Sequence, residues 1–87
     1  MRIISQGGHA DLPYEEIALC MACEDIIARH NDKEYLMARY STMDKAKKAM
    51  EMLHITYKGN KVEEVYQEGT NYYHPTFQFP ADEDVKV

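Results

Sequence analysis

Cys20-Met21-Ala22-Cys23 sets two thiols three positions apart. That spacing can supply half of a zinc site or a redox pair. His9, His30, His54 and His74 offer further ligands, but the chain has no second closely spaced pair to complete four-coordination. On a strand the two thiols point to opposite faces. A thioredoxin-like pair needs the motif at a helix start, where the thiolate is stabilised. The motif therefore reads as two small buried hydrophobes, with no metal and no cofactor. The same histidines could serve acid–base chemistry, yet none lies beside a serine or cysteine nucleophile pattern. No Walker-type or dinucleotide-type phosphate loop is present. No catalytic residue is assigned and the chain reads as a binder, with a small hydrolase using His54 or His74 as the outlying alternative.

The residues best suited to binding are Tyr72, Tyr73 and His74, whose flat faces can stack on a base. Arg29 and Arg39, with Lys47 and Lys48, can meet phosphates. With Gln78 as a hydrogen-bonding group, Arg29, Arg39, Tyr72, Tyr73 and His74 form the candidate ligand set for a small nucleotide. The plainer reading makes the tyrosines core or subunit interface and the basic residues solvated. Gly7-Gly8 could form a backbone nest for an anion, but a tight turn between strands weighs more. Asp82-Glu83-Asp84 could mimic nucleic-acid phosphates toward a basic protein, or simply be solvated.

Those groups need elements to position them. Arg2 to Gln6 reads as a short strand, closed by the Gly7-Gly8 turn. Residues 14–30 fit either a helix, with Asp11 and Pro13 at its start, or a hairpin. The hairpin sets Ile17, Leu19, Met21 and Cys23 on one face, turns at Glu24-Asp25 and returns through Ile26 to His30; it is favoured. Asn31-Asp32-Lys33 is a turn, and Glu34 to Tyr40 a strand, with Tyr35, Met37 and Arg39 on one face and Leu36, Ala38 and Tyr40 on the other. A helix is predicted over 42–58. Ser41 and Asp44 approximate a capping box, Met43, Ala46, Met50, Leu53 and Tyr57 form its apolar stripe, and Gly59-Asn60 its stop. Val62 to Glu68 fits a strand or a short helix. Gly69-Thr70-Asn71 is a turn, Thr76 to Pro80 an edge strand and 81–87 an acidic tail. The fold class is α+β in a single domain, 1–87: an antiparallel meander of about four strands, one helix across a face, and a C-terminal edge strand.

A chain of 87 residues buries roughly 60% of its unfolded surface. Its stability margin is thin, so a homo-oligomer, most simply a dimer, is expected. Acids and bases balance through residue 62. The net charge of −5 falls on residues 63–87, where Glu63, Glu64, Glu68, Asp82, Glu83 and Asp84 face Lys86 alone. Binding to duplex nucleic acid needs a basic face, so it is not expected. No apolar run is long enough to span a membrane, and Met1 to Gln6 turns polar too soon for a signal peptide. A cytoplasmic location with reduced thiols is expected.

Three stretches resemble small uncharacterised proteins of phages and prophages of Gram-positive gut bacteria. They are Met1-Arg2-Ile3-Ile4-Ser5-Gln6 with Asp11-Leu12-Pro13-Tyr14-Glu15, then Tyr40-Ser41-Thr42 with Lys45 through Leu53, and Phe77-Gln78-Phe79-Pro80-Ala81-Asp82-Glu83-Asp84-Val85. Members of that group are strand-like over the region of 15–30 and often carry a longer insert before the closing segment. The resemblance implies a setting of accessory or counter-defence factors and transfers no catalytic residue. The expectation is a non-catalytic protein that sequesters a nucleotide-derived immune signal. The alternatives are an inhibitor docking on a host protein through its acidic C-terminal surface, or a structural prophage protein.

Overall fold

Two tight turns organise the middle of the chain. A computed structural model of the protein describes the backbone of residues 1–66 and 76–87, and their side chains except those of 58–66. At the first turn Cys23 takes φ 57°, and at the second Asn31 and Asp32 take φ 51° and 64°. Positive φ at both central residues matches the right-handed twist of the strands that leave such a turn. These turns link β3 (Ala18–Ala22), β4 (Asp25–His30) and β5 (Lys33–Arg39) into an antiparallel meander. The hairpin reading of residues 14–30 holds, with a short 3₁₀ turn at Tyr14–Glu16 before it.

The opening strand lies elsewhere. β1 (Arg2–Ile4) pairs antiparallel with β2 (Asp11–Pro13) and parallel with β6 (Thr76–Gln78), making a second three-stranded sheet. The meander thus has three strands, and β6 is an edge strand of the other sheet. Gly7-Gly8 is the tight turn between β1 and β2. Gly8 takes φ +80°, its N–H donates to the Ser5 carbonyl at 2.9 Å, and the buried Ser5 hydroxyl accepts the Ala10 N–H at 3.0 Å.

The helix α1 (Met43–Tyr66) runs beyond the expected stop at Gly59-Asn60. An interior glycine costs a helix about 1 kcal/mol relative to alanine, which does not end it by itself. The N-cap is Thr42, whose Oγ1 accepts the Lys45 N–H at 3.2 Å, one residue later than predicted. Ser41 turns instead to Asp82. Ala46, Ala49 and Leu53 are fully buried and Met50 and Tyr57 half-buried, whereas Met43 is exposed at the open first turn.

One core joins the layers. The row Leu12–Ile3–Phe77 comes from the β2-β1-β6 sheet, Ile26, Ala28, Met37, Ala38 and Tyr40 from the meander, and Ala46, Ala49 and Leu53 from the helix. Alanines on the buried helix face let its backbone approach the sheet closely. The closing segment is no loose tail: Phe79 and Val85 are buried, and Asp82–Asp84 forms a 3₁₀ turn. Asp82 accepts from the Ser41 N–H at 2.7 Å and from Lys45 Nζ at 3.1 Å. These bonds hold its carboxyl below the usual carboxylate range. The same segment receives two donors at one carbonyl, since the Pro80 oxygen accepts Gln6 Nε2 at 3.1 Å and the Tyr40 hydroxyl at 2.8 Å.

Tyr40 makes that junction sensitive to alkali. Burial, with Asp82 nearby, pushes its phenol up to about 12. An unfolded tyrosine loses its proton near 10. Between those values the unfolded chain binds fewer protons, so stability is intact below pH 10 and falls as pH rises toward 12. Tyr14, also raised by burial, acts in the same direction. Tyr40→Phe is expected to cost about 1 kcal/mol at neutral pH and to flatten the alkaline decline. Urea midpoints of both proteins across pH 8–11.5 check this. Parallel declines would remove Tyr40 as the cause.

Candidate functional site

The meander has one face in the core and one face outward, and the outer face carries the two arginines of the candidate ligand set. Cross-strand register assembles three rows there. Ala18, Arg29 and Glu34 form one, Cys20, Ile27 and Leu36 the next, and Ala22, Asp25 and Arg39 the third. The middle row is apolar, with Cys20 exposed, Ile27 half-buried and Leu36 41% exposed.

Each flanking row is neutralised within itself. Arg29 Nη2 donates to Glu34 Oε2 at 2.6 Å. Arg39 grips Asp25 through two nitrogens, at 2.9 and 3.2 Å. That fork holds the Asp25 carboxyl below its ordinary range. Arg29 and Arg39 share a face, but the apolar row separates them, so their guanidinium groups do not converge on one anion.

The rest of the ligand set is dispersed. Gln78 lies on β6, where its Nε2 donates to the Ser5 carbonyl at 3.3 Å across the Gly7-Gly8 turn. Tyr72, Tyr73, His74 and the Gly69-Thr70-Asn71 turn lie outside the described residues. The remaining histidines stand apart. His9 and His54 are exposed, and His30 Nε2 lies 3.9 Å from Glu16 Oε1.

The cysteines differ from their expected placement. Both are exposed rather than buried. Cys20 falls on the outer face because Leu19 and Met21 take the core side of β3, and Cys23 is carried into the hairpin turn. Among the described residues, no three His, Cys, Asp or Glu side chains gather as a metal site.

The feature missed by reading residue types alone is the Cys20–Ile27–Leu36 row. Its signal is the adjacent pair Ile26-Ile27 in a strand. Successive side chains point to opposite faces, so one of the two must look away from the core. Comparison with protein-family models, with curated proteins and with solved structures finds no match to this chain.

Proposed function

We propose that this protein is a phage-type accessory factor that acts by binding, and that it inhibits a partner protein through the outer face of the meander. The setting rests on the resemblance of its opening and closing segments. The observation that carries the surface is an apolar row framed by two internally neutralised ion pairs. That arrangement suits a protein partner with an apolar patch and charges of both signs around it, since interfaces join a dry centre to a polar rim. It suits a nucleotide poorly, because both arginines already answer carboxylates. It also moves the contact away from the acidic C-terminal surface, where Asp82 is committed to Ser41 and Lys45.

Ile27→Lys with Leu36→Lys is expected to abolish capture of the partner from a Gram-positive host lysate while leaving the far-ultraviolet circular dichroism unchanged. Glu83→Gln with Asp84→Asn is expected to retain it. Retention by the face variant and loss by the C-terminal variant would return the contact to the acidic surface. Titration of the unmodified chain with cyclic dinucleotides and ADP-ribose derivatives is expected to give no heat. Saturable heat would replace this reading with nucleotide sequestration.

A further inference from the structure

The two outer strands of the meander are protected differently. The far edge of β5 is engaged by Gln6, whose N–H donates to the Met37 carbonyl at 2.6 Å and whose Oε1 accepts the Arg39 N–H at 3.1 Å. β5 also carries Lys33, Glu34 and Arg39. β3 has no charged side chain and no proline, and its pairing with β4 runs in unbroken register. Among the described residues no strand pairs with its other edge. Soluble proteins blunt such edges with charge, proline or bulges, because an open edge templates pairing with another chain.

We infer that β3 is the interface of a two-fold homodimer, in which two meanders join edge to edge as a six-stranded sheet. Its sequence is nearly self-complementary about its centre: Ala18-Leu19-Cys20-Met21-Ala22. An antiparallel two-fold pair centred on Cys20 sets Ala18 against Ala22 of the second copy, and Leu19 against Met21. A two-fold interface requires such reciprocal contacts.

The hairpin turn selects the same register. Cys23 and Glu24 form a two-residue loop, so Ala22 and Asp25 are its closing pair and exchange their own hydrogen bonds. Alternation then makes Cys20–Ile27 and Ala18–Arg29 hydrogen-bonded pairs as well. The backbone groups of Leu19 and Met21 point to the open edge, where each finds the other across the two-fold. Cys20 faces its own copy as a non-hydrogen-bonded pair. Such pairs hold their Cα atoms about 4.5 Å apart, within the span of a disulfide.

The two-fold also brings the exposed Glu24 opposite Glu16 of the second copy at either end. That repulsion is screened by salt, so association is expected to tighten as ionic strength rises. The inference concerns the chain alone and stands apart from the partner-binding proposal.

Sedimentation equilibrium of the whole chain is expected to show a monomer–dimer equilibrium, stronger in salt. Ala18→Lys with Ala22→Lys, at two exposed positions, is expected to give a monomer with unchanged circular dichroism. Cys23→Ser protein, treated with diamide, is expected to form a disulfide dimer. The two Cys20 thiols give up two protons and two electrons to the diamide, which is reduced to its hydrazine. In Cys20→Ser protein the Cys23 residues lie six positions out of register, about 20 Å apart, and no dimer above collisional background is expected. A chain that stays monomeric at millimolar concentration, a dimer that survives the lysine pair, or equal crosslinking through Cys23 would each overturn the inference.

Discussion

Phe79→Ala is expected to lower the unfolding free energy by about 3–5 kcal/mol. Phe79 is 1% exposed and meets Phe77 edge to face at 5.3 Å. Its N–H donates to the Ile4 carbonyl at 3.1 Å. The ring therefore secures the closing segment to β1 and fills the centre of the core. Small domains have about 5–15 kcal/mol in total, so the variant forfeits much of its margin. The denaturant midpoint should fall sharply, while Glu83→Gln, at an exposed position on the same segment, stays within about 0.5 kcal/mol of the parent. A Phe79→Ala cost near that of Glu83→Gln would mean that the closing segment is not docked.

The second large effect separates two neighbours. Met37→Ala is expected to cost about 2–5 kcal/mol, and Leu36→Ala within about 0.5 kcal/mol of nothing. Leucine at 36 and methionine at 37 look interchangeable in hydrophobicity, but they sit on opposite sides of an irregularity. Ile27 pairs with Leu36 and Ile26 with Ala38, which leaves Met37 as an extra residue in β5. An extra residue bends the strand and re-aims its side chain. Met37 is buried at 1% exposure, while Leu36 stays 41% exposed on the outer face. Denaturant melts of the two variants check the contrast, and equal costs would contradict the bulge.

That irregularity marks where reading the residues stops working. Alternation over Lys33–Arg39 places Tyr35 and Met37 on one side and Leu36, Ala38 and Tyr40 on the other. The bulge breaks the phase, so Met37, Ala38 and Tyr40 are all buried. The α+β class, both turns of the meander and the helix start to within a residue were legible, because local backbone preferences dictate them. The helix end was not, because continued helix-forming residues outweigh Gly59. The parallel pairing of β1 with β6 was not either, since no local pattern says which distant strand completes a sheet. For the candidate site, Arg29 and Arg39 were correctly picked as surface cations. Their partners Glu34 and Asp25 are set by cross-strand register, which residue types alone do not reveal. Asp82 looked like part of a solvated tail because its partner Ser41 is remote in sequence.

The seam between β1 and β6 also governs the order of assembly. It joins segments such as Gln6 and Pro80, which are 74 positions apart. The meander and helix form from near neighbours and can be made while synthesis proceeds. The first strand must wait, half-paired, until the last dozen residues leave the ribosome. A stalled or prematurely ended chain would keep Ile3 and Leu12 uncovered, and this protein should therefore be unusually dependent on being made to completion.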